Sequence, residues 1–242
     1  MTALKEQLLI ERRDSELWLT ISRPDKANAL TVDLMERMGR AISEATSIEN
    51  VRSVVITGAG ERVFCAGVDV REKPEDGNRQ RHRERRSFAL AALQDAVMDT
   101  PIPIVAALNG IASGGGAMIA LLADSCVAAD TAALTLSEID IGIATFSGAS
   151  ILEVIGGRAL ALDMIQTGRR MTAPESMTRG LIKMSVSQSE LKSSASAVAN
   201  LLGSKDPKAF ADNKRWLNRG LKAALSEARA EHARHRAQNK ER

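Results

Sequence analysis

Residues 101–123 read PIPIVAALNGIASGGGAMIALLA and contain no charged side chain. An apolar run of this length is enough to span a bilayer. Pro101, Pro103, Asn109-Gly110 and Gly114-Gly115-Gly116 interrupt it, however, and punctuation of that kind marks turns. The stretch therefore reads as a buried strand over 104–108, a turn, and a buried helix over 116–123. Working outward, the same order recurs. Downstream come the short apolar runs Cys126–Ala129 and Leu134–Leu136, then a helix near Ala149–Ile155. Upstream, the β-branched run Val54-Val55-Ile56 ends at Gly58-Ala59-Gly60, and Val63-Phe64-Cys65 follows. A polar, basic segment over 71–86 then leads to a helix over about 87–98. Alternating strands and helices of this kind predict an α/β core of repeated ββα-like units.

The ends fit around that core. Leu8–Ile10 and Leu17–Ile21 flank polar Glu11–Glu16 and read as a β-hairpin. From Thr31 to Ala45 the apolar positions Val32, Met35, Met38, Ile42 and Ala45 keep helical spacing, with Thr31 as N-cap. Beyond Ser189 only helical patterns remain, over Ala195–Leu202, Pro207–Leu217 and Lys222–Arg236. The expected organisation is a core over residues 1–188 followed by a helical region over 189–242.

The chain has 242 residues, 44% hydrophobic and 26% charged. That suits a soluble globular protein with a core large enough to need neither disulfides nor a structural metal. The only two cysteines, Cys65 and Cys126, sit in apolar runs, which points to reduced thiols and a cytoplasmic setting. Met1–Glu16 lacks an apolar signal core. The net charge of +3 is unevenly spread, with the basic excess in Arg71–Arg86 and in the last 22 residues. Such patches suit solvated helix faces, and less readily a nucleic-acid footprint, because aromatic side chains for base stacking are few.

Absences narrow the chemistry. There is no tyrosine, and the three histidines, His82, His232 and His235, all fall in the basic, polar patches. A Ser-His-Asp triad, a Cys-His pair or a histidine-ligated zinc would need a histidine in a shaped pocket. Acid–base work then falls to a carboxylate or a lysine. Between Ser87 and Gly157 there is no lysine or arginine, yet there are seven acids. An anion developing in that region has only backbone N–H groups to hold it. Gly114-Gly115-Gly116 ahead of an apolar helix suits that task, through close backbone approach and the helix dipole. It equally suits a tight loop between strand and helix. Ala66-Gly67-Val68-Asp69, after a strand, offers another N–H or an ordinary strand exit. Glu138 lies between the apolar run Ala132–Leu136 and Ile139. Desolvation there raises a carboxyl pKa toward general acid/base use, and a capping role at a strand end is the plainer alternative.

Four motifs in register resemble the crotonase family, the enoyl-CoA hydratases and isomerases. They are Arg23-Pro24-Asp25-Lys26-Ala27-Asn28-Ala29-Leu30; Ile56-Thr57-Gly58 with Phe64-Cys65-Ala66-Gly67-Val68-Asp69; Asn109-Gly110 with Gly114-Gly115-Gly116; and Ser137-Glu138 with Gly142-Ile143. The resemblance covers about residues 5 to 185. It implies a spiral of ββα units with a helical C-terminal trimerisation region, assembled as a homotrimer or homohexamer. It implies an acyl-CoA substrate, with coenzyme A present only as part of that substrate and no metal. The thioester oxygen would sit in a hole formed by the N–H groups of Val68 and Gly115. Lys26, Ala27, Ala29, Ala66, Gly67, Val68, Asp69, Val70 and Gly114 would line the pocket, with Lys26 and Lys214 near the coenzyme A phosphates.

Two glutamates carry hydration in the family. Glu138 matches the second, while Met118 stands where the first would be. Syn addition of water needs two carboxylates, whereas a 1,3 double-bond shift needs one base that takes a proton from C2 and returns it at C4. The resemblance therefore implies 3,2-enoyl-CoA isomerisation with Glu138 as sole acid/base. A one-glutamate hydratase or a C–C lyase or synthase is the alternative, and a non-catalytic acyl-CoA-binding protein the third. Asp140 would supply a second carboxylate only if 138–140 ran as a strand. Ile143–Gly148 lacks the proline common in the family. Phe146 occupies the place of the nucleophilic aspartate of related dehalogenases, which argues against that activity.

Overall fold

A computed structural model describes residues 6–74 and 76–238. The start of the N-terminal stretch read as lacking a signal core, Glu75 of the basic segment and the last four residues of the tail lie outside the described residues. The chain opens with the expected hairpin, β1 (Leu8–Arg13) and β2 (Glu16–Ile21), closed by Asp14 at φ 51°. Helix α1 (Val32–Glu44) follows, its first turn capped by the Thr31 hydroxyl, which accepts from the Leu34 N–H at 3.2 Å. The apolar stripe read from the sequence is the one that is buried.

Then the chain winds. β3 (Ser53–Gly58), β5 (Ile104–Leu108) and β7 (Ser125–Ala129) run parallel in one six-stranded sheet of order β1-β2-β3-β5-β7-β10. Each is followed by a short strand in a second sheet: β4 (Val63–Cys65), β6 (Ile111–Ser113) and β8 (Ala133–Thr135). That sheet has the order β4-β6-β8-β9. Helices α2 (Arg79–Asp99), α3 (Gly115–Leu122) and α4 (Phe146–Gly156) complete the three turns. Successive units thus step one strand along both sheets, which is the predicted ββα spiral. After α4 come α5 (Arg158–Thr167), β9 (Arg170–Thr172), α6 (Ala173–Thr178) and β10 (Met184–Val186), so β9 and β10 add one more strand to each sheet.

Two buried asparagines hold the crossing from β3 to β4. Asn109 accepts from the Gly58 N–H at 2.9 Å and donates to Gly60 O at 2.8 Å, and Asn28 donates to Val63 O at 2.7 Å. These motif residues therefore shape the loops that frame the glycine-rich strand exits.

Three expectations need correction. Helix α2 starts at Arg79, not near 87, because Asn78 caps it by accepting from the Arg81 N–H and its charged first turns are good helix formers. The turn after β5 is followed by the three-residue strand β6, too short to show alternation. The last two helical patterns are one helix, α8 (Pro207–Gln238), running through Gly220. A mid-helix glycine costs only about 1 kcal/mol, and Leu221, Leu225 and Ala228 continue the buried stripe across it. Helix α7 (Leu191–Gly203) lies on the large sheet, where Ser196 and Asn200 donate to buried Glu16 of β2. Helix α8 folds back along α4 and α2. No helix among the described residues is long and apolar enough to cross a membrane.

Candidate active site

The strand exits after β4 and β6 meet. Gly67 has φ 88°, and a β-carbon there would lie 2.9 Å from Ser113 O and 3.1 Å from Gly115 N. Only glycine lets the two segments approach so closely. The chain from Gly67 to Asp69 bridges to Leu30: Gly67 O accepts from the Leu30 N–H, and the Asp69 N–H donates to Leu30 O. Alternation turns the Val68 N–H to the opposite side. Gly115 begins α3, so its N–H is one of those that no helical carbonyl takes. Gly114, at φ 51°, makes the turn into the helix, and Gly116 has no room for a side chain against Cys65. The Val68 side chain lies against Gly115, as does Leu90 of α2. Two outward N–H groups, one at a helix N-terminus, are therefore held on adjoining segments, an arrangement that can stabilise an oxyanion.

Glu138 opens a short 3₁₀ turn, Glu138–Ile141, and its Oε1 lies 3.1 Å from the place a β-carbon on Gly114 would take. Its Oε2 is buried with no hydrogen-bond partner among the described residues. Burial pushes the carboxyl above the usual carboxylate range, against hydrogen bonding to its own N–H and the Thr145 hydroxyl, which favours the charged form. A desolvated carboxyl with a free oxygen, beside a glycine turn, is equipped for proton transfer. Asp140 does not join it, since the turn sends its carboxylate against Gly168. Met118, one turn into α3, puts its methyl with the Thr145 hydroxyl and Leu136 into the space that Gly148 leaves by having no side chain. The position lacking a carboxylate is thus next to the Glu138–Thr145 pair.

The remaining expected residues fall into three groups. Lys26 is exposed at the end of a 3₁₀ turn, Pro24–Lys26, and Ala27 adopts φ 50° so that its carbonyl accepts from the Ala66 N–H. Ala29 gives its carbonyl to Arg23, which also pairs with Asp69 at 3.1 Å. Asp69 therefore pins the Val68 loop rather than projecting from it, and Val70 is 61% exposed. Lys214 is a correction: its ammonium is buried, donating to Asp124 at 2.6 Å and to Ile102 O, so it is spent on fastening α8 and cannot serve a phosphate. The histidines are a second correction. His232 and His235 of α8 lie edge-on against Phe146, with ring centroids 6.1 and 5.6 Å away. Burial, with Arg236 and His235 adding repulsion, holds His232 below the usual histidine range. The fold-back of α8, invisible in a local pattern, brings a basic-patch histidine to an apolar ring. The two thiols are inert, since burial pushes Cys65 up to about 12 and Cys126 higher still.

Comparison with known proteins agrees with this geometry. The family model for enoyl-CoA hydratase/isomerase matches residues 11–241. The chain belongs to the enoyl-CoA hydratase/isomerase family. It is similar to a short-chain-enoyl-CoA hydratase of Clostridium acetobutylicum, 32% identical over 92% of this chain and 85% of the relative. It is also similar to a carnitinyl-CoA dehydratase of Salmonella enteritidis, 36% identical over 86% of this chain and 78% of the relative. A crystal structure of an enoyl-CoA hydratase from Bacillus anthracis superposes with a TM-score of 0.82 at 28% identity, covering 95% and 92% of the two chains. The expected crotonase fold is thereby established.

Sequence reasoning missed some residues of this enoyl-CoA hydratase/isomerase site. Thr145 had no signal beyond its place before Phe146. Gln94 had one: it follows Leu90 by four on α2, so it falls on the face turned to α3. It is buried there and donates to the Met118 sulfur at 3.4 Å. Its carbonyl accepts from Arg229 of α8 at 3.0 Å, and Arg229 also pairs with Asp95.

Proposed function

We propose that this enzyme shifts a double bond along an acyl-CoA thioester, 3-enoyl to 2-enoyl, through an enolate. The single carboxyl of Glu138 supports this reading, because a buried proton-transfer group with one free oxygen is what a single-base shift requires. The thioester oxygen lies between the N–H groups of Val68 and Gly115. Negative charge collects on that oxygen as Glu138 removes the C2 proton, and the two donors with the α3 dipole hold it in a region without lysine or arginine. The same carboxyl returns the proton at C4, and the conjugated thioester leaves. Gly67 and Gly114 set the hole, Ala27, Ala29, Ala66 and Val70 border the entrance, and Lys26 meets a coenzyme A phosphate. No metal or further cofactor takes part, and the enzyme works in the cytoplasm as a homotrimer or a pair of trimers.

The names of the two curated relatives favour a second reading, in which water is added or removed with Glu138 as the one carboxylate. Ultraviolet absorbance with a 3-enoyl-CoA separates the two by following the conjugated product. The wild type gives a rise, and Glu138→Gln slows it by about 10²- to 10⁴-fold, the usual worth of a general base. A wild type silent with 3-enoyl-CoA but active with 2-enoyl-CoA and water selects the second reading. A rise that survives in Glu138→Gln removes Glu138 as the base.

A further inference from the structure

Beyond the bond that moves, the site carries a donor with no adequate acceptor. Gln94 is 1% exposed. Its orientation is fixed from behind: Arg229 has only donors, so it holds the amide carbonyl and forces the NH₂ toward α3. There the amide meets the Met118 thioether at 3.4 Å, and sulfur is a weak acceptor. Arg229 is itself tied down by Asp95 at 2.9 Å and by Ala91 O at 3.2 Å, so the amide cannot turn over to pair differently. A buried donor parked on a poor acceptor is under-satisfied, and an oxygen arriving there is favoured over a methyl or methylene.

The place of that donor fixes what it reads. Met118 is three residues along α3 from Gly115, about 4.5 Å further along the axis. With the thioester carbon at the Gly115 N–H, that distance reaches a substituent on C3 or C4 of the acyl group. From this geometry we infer that Gln94 is a specificity-determining residue and that the enzyme takes acyl-CoA thioesters bearing a hydroxyl or carbonyl oxygen at C3 or C4, in preference to plain hydrocarbon chains. Gln94 donates to that oxygen as the Met118 thioether moves aside. The inference rests on the acyl-thioester site proposed above, and not on which reaction follows.

Calorimetric titration of the full chain tests it, in a Glu138→Gln background so that no turnover alters the ligand. The probes are butyryl-CoA, 3-hydroxybutyryl-CoA and 4-hydroxybutyryl-CoA. One hydroxyacyl thioester binds three- to tenfold more tightly than butyryl-CoA, the range a neutral hydrogen bond supplies. Gln94→Met, near in volume, abolishes that preference and leaves butyryl-CoA affinity unchanged. Met118→Leu has the opposite effect, raising the preference because the amide then has no protein acceptor. A purely structural role for Gln94 would move both variants the same way. Equal preference in Gln94→Met and its parent overturns the inference while the thioester site stands. Failure of the parent to bind any of the three thioesters overturns both.

Discussion

Glu138 shows how one residue's surroundings set its chemistry. Its carboxyl is raised because burial penalises the charge more than its own N–H and Thr145 repay. The native state therefore holds this proton at a pH where the unfolded chain has lost it. The sign follows from linkage: stability falls as pH climbs from the ordinary carboxylate value through the raised one. Activity runs the other way, since the base must be ionised. The acidic limb of kcat/KM is thus expected above the model carboxylate value of 4.5, where an exposed glutamate would place it. Near neutral pH, Glu138→Gln melts at or above the wild-type temperature while losing turnover. A variant that melts lower would mean that the charge is stabilised in place. The apolar neighbours of Glu138 made this legible in the sequence. The glycines were legible as a pattern, but their purpose needed the fold: Gly67 and Gly115 are far apart in sequence, and their close approach appears only once β4 and β6 pair. Met118 was readable as a missing carboxylate, whereas its partner Gln94 depended on how α2 lies over α3.

At the scale of elements, α8 decides much that the sequence could not. Its 32 residues look like two helices because local pattern weakens at Gly220, and its contacts are all long-range. Lys214 fastens its first half to the core through Asp124, whose carboxylate also accepts from the Ile104 N–H at the start of β5. Burial presses Lys214 and Asp124 toward their neutral forms, and their mutual attraction opposes it. Removing one partner of such a pair leaves the other buried and uncompensated, a cost of about 3 kcal/mol or more. Lys214→Met is therefore expected to lower the urea midpoint substantially. Adding Asp124→Asn recovers part of the loss, because an amide needs no counter-charge. An unchanged midpoint in Lys214→Met would mean that α8 is held by its apolar stripe alone. Arg229 makes the same helix matter to the site, since the amide it orients belongs to α2 and faces α3. Strand exits were readable from glycine and asparagine, which act locally. Docking of α8 was not, because its ion pairs join residues 90 and 134 positions apart.

For the whole molecule, the exposed apolar surface has a pattern. Ile139, Ile141 and Ile143 in the turn after Glu138 are 40, 65 and 44% exposed, and Val154, Ile155 and Leu162 on α4 and α5 are exposed as well. Isolated exposed leucines or isoleucines need no explanation, but several on adjoining elements mark a surface that associates. This bears on the site, because the turn carrying the proposed base has its polar residue turned inward and its apolar ones outward. Covering Ile139–Ile143 with another copy of the chain fixes the turn and dehydrates the carboxyl further, which ties assembly to catalysis. Light scattering coupled to size exclusion is expected to give three times the 26.0 kDa chain mass, or six. Ile141→Asp introduces a charge where a partner would pack. It lowers that mass, and turnover falls with it although no side chain that contacts the thioester has changed. A wild type running at the mass of one chain would refute the assembly. A dissociated variant with full turnover would leave the assembly standing and cut its link to Glu138.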